Sequence, residues 1–462
     1  MWDSFIEAVT KVNDWVNGVV WGLPMIIMIL GTGILLTVRT KVLQVRKFGE
    51  SMSSTIVPAV KDMKKGKKGR DKNSVSQFEA FSAAISGTVG TGNIIGVTSA
   101  ILTGGPGAVL WMWISAFFGM VTNYSENVLG LYYRKKEKDG SFSGGAFYYI
   151  AYGIKQRWLG MLAAIFCLLA AVGMSGVQTN KITGSYTSVL NNDSVAVKLI
   201  IGGIVAFLAA VVIIGGIKRI GRIASMLVPF MSLLFIAMAF VIIGKNYTAI
   251  PDTFRLIFTS AFSSKAVAGG VGGFAFSQII KKGLARGVFS NEAGLGSSVI
   301  AHSASETREP VKQGLWGIFE VFFDTFVICT LTALVILTTN IGSGAYQNGT
   351  FFGTTDAAGN FAGASDSATA LSAFSSNLGT FGTVTFLIIL PLFAFTTVLA
   401  WSYYGEKAVD FCFRHLPESK RKIPVFIFKI IFILLIVFSS LIGSDLIWAL
   451  DDNFNGLMAL PN

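Results

Sequence analysis

Long apolar runs, interrupted by short basic stretches, are the dominant pattern along this chain. Crossing about 30 Å of hydrocarbon takes roughly 20 mainly apolar residues in an α-helix. Runs of that kind lie near 18–38, 78–103, 105–133, 159–187, 198–217, 222–243, 268–300, 314–338, 378–405 and 423–443, with a last one starting near 444. The pattern predicts eleven spans. The final stretch carries Asp451 and Asp452 and stops at Asn462, with too few apolar residues left to cross. It reads as a half-span or as a span whose C-terminal end is missing, and the second is preferred. Ahead of the first run, Trp2, Phe5, Ile6, Val9, Val12 and Val16 share one helical face. That spacing predicts a short amphipathic helix over 1–17, lying in the membrane interface.

Composition narrows the class. Of 462 residues, 52% are hydrophobic and 13% charged, and the charged share is about half that of a globular protein. Disorder needs the opposite balance, and so few polar residues cannot cover a soluble surface. The expectation is an all-α polytopic membrane protein. A net charge of +12 invites a nucleic-acid reading, but the basic residues sit in short loops between apolar runs. Cys167, Cys329 and Cys412 lie in apolar settings without metal-ligand spacing, and read as small core residues. With His302 and His415 as the only histidines and no nucleophile motif, nothing supports an enzyme. Asp3 and Glu7 stand where a secretory signal would be basic.

The basic residues set an orientation. Loop 39–72 holds eleven Lys or Arg, among them Lys64, Lys65, Lys67, Lys68 and Arg70. Together with the alternate loops 134–157, 218–222, 302–313 and 406–429 it accounts for 28 of the 37. Segment 339–377 has none. By the positive-inside rule the basic loops are cytoplasmic and the N-terminus is outside. The polar segment 339–377 is long enough to form an extracellular cover.

Two spans carry interruptions that lipid alone does not tolerate. The first is Ser86-Gly87-Thr88-Val89-Gly90-Thr91-Gly92-Asn93; the second runs from Ala285 to Ser298 and includes Arg286, Glu292, Gly294 and Gly296. The second lies five spans after the first, and an odd offset gives the two halves opposite orientation. Interrupted spans at corresponding places of inverted halves mark the binding site of a secondary transporter.

The stretch Gly104-Gly105-Pro106-Gly107-Ala108-Val109-Leu110-Trp111-Met112-Trp113-Ile114-Ser115-Ala116-Phe117-Phe118-Gly119 resembles the signature of the alanine or glycine:cation symporter family, with Leu110 where the family usually has Phe. Gly144-Gly145-Ala146-Phe147-Tyr148-Tyr149-Ile150 and Phe289-Ser290-Asn291-Glu292-Ala293-Gly294-Leu295-Gly296 also resemble family motifs, and the likeness runs from about residue 18 to the end. The resemblance implies uptake of alanine or glycine with sodium, in some members with protons. It also implies the fold of the neurotransmitter:sodium symporters: a ten-span core of two inverted five-helix repeats with broken first helices. On that frame, 18–38 is an extra N-terminal span, 39–77 a basic cytoplasmic loop, 78–243 the first repeat and 244–462 the second.

The same resemblance implies the site. The amides of Thr91 and Gly92 would take the substrate carboxylate, with the Asn93 amide close by. Carbonyls of Ser86 and Val89 would face sodium, joined by the Phe393 carbonyl and the hydroxyls of Thr396 and Thr397. Physics favours such parts, because a buried zwitterion needs donors for its carboxylate and a resumed helix presents free N–H groups. Adjacent threonines on a helix otherwise bond the preceding turn. Trp401, one turn after Thr397, serves as a wall against the substrate side chain or as an interface Trp. Gln178 reaches the substrate or a neighbouring helix. Phe289, Ser290 and Asn291 complete the pocket. Arg286, Glu292, Glu126 and Asp324 are structural ion pairs or gate residues, and a proton-coupled member would need one of them to titrate. The reading is sodium-coupled symport of alanine or glycine. Proton coupling is the alternative and a channel the weaker one. The lipid bilayer is the implied surrounding, and no protein or nucleic-acid partner follows.

Overall fold

The computed structural model describes residues 2–55, 75–262, 270–343, 354–355, 361–362 and 365–462. The Lys/Gly stretch 61–72 lies outside them, as does most of 344–364. Among the described residues, seven helices are long and apolar enough to cross a membrane, or eight when one bent pair counts as a span.

In chain order the long helices are α1 (Trp2–Val20), α2 (Leu23–Arg39), α3 (Gln77–Thr88), α4 (Gly92–Gly104), α5 (Ala108–Tyr133) and α6 (Arg157–Leu190). Then come α7 (Val195–Ile213), α8 (Gly216–Lys245), α9 (Ile250–Ala261), α10 (Gly270–Asn291) and α11 (Pro310–Gly342). The chain ends with α12 (Asp366–Cys412), α13 (Glu418–Ser439) and α14 (Ser444–Ala459).

The outer surface departs from the rule for soluble proteins. Ile200, Phe207, Phe230, Leu233, Phe426 and Leu434 point outward and are exposed, which puts an apolar belt on α7, α8 and α13. Such a belt needs lipid rather than water around it. The interior holds polar side chains within its hydrophobic core: Ser175, Gln178 and Thr179 on α6 and Thr396 and Thr397 on α12 are all buried. Short-side-chain contacts let α6, α12 and α14 approach closely. A Cβ on Gly405 would meet the Ala171 methyl at 3.1 Å.

Local signals start and stop the helices. Ser76 and Glu79 form a reciprocal capping box at the head of α3. Ser194 and Ser365 cap α7 and α12. Within α12, Gly379 takes φ +58°, so residues 366–378 form a separate leading helix before the span proper.

Two elements depart from the sequence expectation in detail. The amphipathic N-terminal helix forms, and its buried Asn13 accepts two hydrogen bonds from the Asn453 amide, at 2.9 and 2.7 Å. It is therefore docked onto α14 through a polar contact. The stretch from 444 is a 16-residue helix packed against α6 and α1, with Asp451 and Asn455 fully buried. Its polar residues are accommodated by neighbouring protein.

Candidate functional site

Both Gly-rich interruptions are breaks in the structure. α3 ends at Thr88, Val89 leaves helical backbone (φ −81°, ψ 89°), and the chain resumes at Gly92, where α4 opens with a π-helical stretch, Gly92–Gly96, and runs bent by 45° from α3. Such π turns are frequent at functional sites. The second break lies between Asn291, the last residue of α10, and the one-turn helix Val299–His302. Glu292, Gly294 and Gly296 take φ of +56°, +92° and +74° there. Glycine adopts that region freely; a glutamate does so at a cost of about 1–3 kcal/mol.

The breaks are wired together by buried polar side chains. The Asn93 side chain accepts from the Gly90 amide at 2.8 Å and donates to Asp324 on α11. The other Asp324 oxygen accepts from Ser290 at 2.8 Å and from Thr325 at 2.9 Å. Cys329 closes the group, 3.1 Å from the Ser290 hydroxyl and 3.4 Å from the Asn93 amide. Asp324 and Cys329 lie on a second π-helical stretch, Phe322–Cys329.

Gln178 reaches across from α6, and its carbonyl oxygen accepts from the Thr91 amide at 3.1 Å. That is the bond a carboxylate oxygen would make at the same donor. The buried Thr91 hydroxyl has no hydrogen-bond partner among the described residues. The Phe289 ring closes on Gly92, 3.3 Å from where a Cβ would stand, and stacks on Trp448 at 5.6 Å. Arg286 lies over both rings and forms a bidentate pair with Asp452 at 2.7 and 2.8 Å.

On α12, both threonine hydroxyls donate to the Phe393 carbonyl at 3.0 Å. Their lone pairs remain available as acceptors. They face different ways: Thr397 abuts Gly90, where a Cβ would stand 2.4 Å from the hydroxyl, whereas Thr396 turns toward Met231 on α8. Ser86 is buried on α3 with its hydroxyl bonded to the Ala83 carbonyl. Val89 is buried at the break.

Trp401 is fully buried, and its indole donates to Glu292 at 3.1 Å; Ser297 donates to the other oxygen of that carboxylate. It lies in the interior and not in an interfacial belt. Asn291 looks away from the first break, bonding Thr325 at 3.1 Å and the Ala293 amide at 3.0 Å. The structure thus brings Thr91, Gly92, Asn93, Gln178, Phe289, Ser290 and Thr397 around the first break, and leaves Thr396, Asn291 and Trp401 one layer out.

The sequence reading left Asp324 between structure and gating and missed the parts played by Cys329 and Trp448. A lone carboxylate inside an apolar run signals Asp324. Nothing in the spacing distinguishes Cys329 from a core residue, and Trp448 belongs to the stretch read as an incomplete span.

Broken helices enclosing a buried polar cluster inside an apolar belt define a helical membrane transporter, and a solved structure shares the fold. It is that of MhsT in complex with L-phenylalanine, with a TM-score of 0.53 at 16% identity, over 84% of this chain and 89% of that one. More particularly, the chain matches the sodium:alanine symporter family over residues 6–462, and it belongs to that family of transporters. It is 38% identical to the sodium/alanine symporter AgcS of Methanococcus maripaludis, over 99% of this chain and 94% of that protein. It is also 36% identical to a putative sodium/proton-dependent alanine carrier, YrbD of Bacillus subtilis, over 96% and 87%.

Proposed function

We propose that this protein carries alanine or glycine into the cell with sodium, by alternating access around the first break. The observation that carries the reading is the contact of three parts at one point: the Thr91 amide, the Gln178 carbonyl that stands in for a carboxylate there, and the Thr397 hydroxyl against Gly90. In this reading the Thr91 and Gly92 amides receive the substrate carboxylate as Gln178 withdraws. Sodium lies between the Ser86 and Val89 carbonyls, the Phe393 carbonyl and the hydroxyls of Thr397 and Thr396. Thr396 would turn in from Met231 on ion binding.

The finer architecture belongs to the same reading. α3 to α8 form the first repeat and α9 to α14 the second, inverted, while α2 is the extra N-terminal span. The excess of Lys and Arg on alternate loops supports cytoplasmic basic loops and an external N-terminus. Phe289, Trp448 and the Arg286–Asp452 pair then close the outer side of the pocket.

The direct test is uptake of labelled alanine and glycine into proteoliposomes under an inward sodium gradient. Uphill accumulation is expected, absent when potassium replaces sodium. Accumulation driven by a pH gradient alone would favour proton coupling, and dissipative flux without accumulation a channel.

Two substitutions refine the assignment. Thr397→Ala removes one oxygen ligand and leaves the helix intact. The apparent sodium affinity should fall several-fold while alanine affinity at saturating sodium changes little. Equal losses in both, or none, would leave the hydroxyl merely back-bonded. Trp401 backs the pocket from one layer out, so Trp401→Ala should let that layer yield and side chains such as valine or leucine enter, relaxing the preference for alanine by roughly 10- to 200-fold, the range one methylene is worth. An unchanged ranking of substrates in competition assays would place the indole outside the pocket wall.

A further inference from the structure

α14 carries a second polar centre that the site above does not use. Asp451 is fully buried, and among the described residues neither of its carboxylate oxygens has a hydrogen-bond partner. One turn on, Asn455 is fully buried too; its amide nitrogen donates to the Asp451 backbone carbonyl at 3.0 Å, and its own side-chain oxygen has no partner among the described residues. Residues four apart on a helix share a face, so the Asn455 side chain lies beside the Asp451 carboxylate. Across from them α6 offers Gly173, and a Cβ there would stand 2.6 Å from Asp451 Oδ1. The missing side chain lets Asp451 pack its carboxylate directly against α6.

The nearby cations already have acidic neighbours, Lys282 on α10 facing Asp452. Arg286 is held bidentately by Asp452, and Lys181 on α6 pairs with Asp366 at 3.1 Å while lying over the Trp448 ring. Glu292 is bonded by Trp401 and Ser297. On α1, which also packs on α14, Lys11 and Asp14 face outward and are exposed. No cation among these is left over for Asp451. A carboxylate in a dry interior costs several kcal/mol unless its charge is met, and acceptor oxygens without donors are what a small hard cation requires.

We propose that Asp451 and Asn455, against Gly173, form a binding site for a second co-transported monovalent cation, apart from the sodium at the first break. Sodium and the proton are the two sources of that charge. The site joins α14 to α6, and α6 supplies Gln178 five residues beyond Gly173. Filling or emptying it therefore biases the same helix that contacts the substrate amide. The inference rests on the symport reading above.

The test uses the full chain in proteoliposomes, with the membrane potential clamped and the sodium and pH gradients imposed separately. Each coupled ion multiplies the equilibrium accumulation of alanine by its own gradient, so under a tenfold gradient one ion contributes a factor of about ten. Asp451→Asn should lower accumulation about tenfold under one of the two gradients while labelled alanine still binds. Loss under the sodium gradient identifies sodium as the ion, and loss under the pH gradient identifies the proton. Unchanged accumulation under both overturns the site. If Asp451→Asn is not recovered folded, Gly173→Ala, which drives a methyl at Oδ1, and Asn455→Ala, which removes the amide beside the carboxylate, carry the same test. Wild-type accumulation in both of these overturns the site as well. A wild type that accumulates alanine under neither gradient overturns the symport reading and this site with it.

Discussion

Replacing Asn93 by Ala is expected to weaken alanine binding by roughly 100-fold and to flatten its dependence on sodium. Asn93 satisfies the Gly90 amide and donates to Asp324, whose other oxygen holds Ser290. Its loss leaves a buried amide and one side of a carboxylate unpaired. Hydrogen bonds to charged groups contribute about 1.5–3 kcal/mol, and a stranded buried donor costs about 1–3 kcal/mol. About 3 kcal/mol is a factor near 100 in affinity. The effect on sodium follows from linkage: an ion at the break lowers the cost of burying the carboxylate, and the bound carboxylate strengthens ion binding by the same factor. Calorimetric titration of alanine across a sodium series, with potassium as control, reads both. Weaker binding with unchanged sodium dependence would put Asn93 at the substrate alone, and unchanged binding would reduce it to a structural strut.

Gly90→Ala should be more severe for transport than its one added methyl suggests. The new Cβ would stand 2.4 Å from the Thr397 hydroxyl and 3.3 Å from the Gln178 carbonyl oxygen. Neither neighbour is a free chain end, since Thr397 is held to Phe393 and Gln178 to Thr91. Overpacking of this kind costs about 1–3 kcal/mol. Here it falls where the ion ligand and the carboxylate donor meet, so both affinities should drop at least about tenfold and uptake should be lost. Gly184→Ala, where a Cβ meets nothing within 4 Å, is the control and should transport as the wild type does. A Gly90→Ala protein with normal sodium and alanine affinities would show that α3 and α12 part during the cycle without needing this contact.

The membrane class, the two interruptions and the family were legible in the sequence because each is a local property. Apolar run length is set by bilayer thickness, and a helix break is written in adjacent residues such as Val89 to Asn93 and Glu292 to Gly296. Charge bias between loops is equally a sum over neighbours in sequence. The pairing of side chains across the bundle is not. Asn93 and Asp324 are 231 residues apart, and that Ser290 shares the carboxylate while Asn291 turns away is decided by a single step of helical rotation at the end of α10. The same 100° step separates Thr397 at the break from Thr396 beside Met231. Asp451 shows the limit most clearly. In sequence it marks a stretch too polar to cross a membrane. In the fold, α6 and α1 cover that stretch, and which acids are matched there and which is left without a donor depends on the three-dimensional positions of Arg286, Asp452 and Gly173. Hydrophobic patterning fixes which helices exist because burial is roughly additive along the chain; electrostatic matching depends on distances between helices, and only the packed structure sets those.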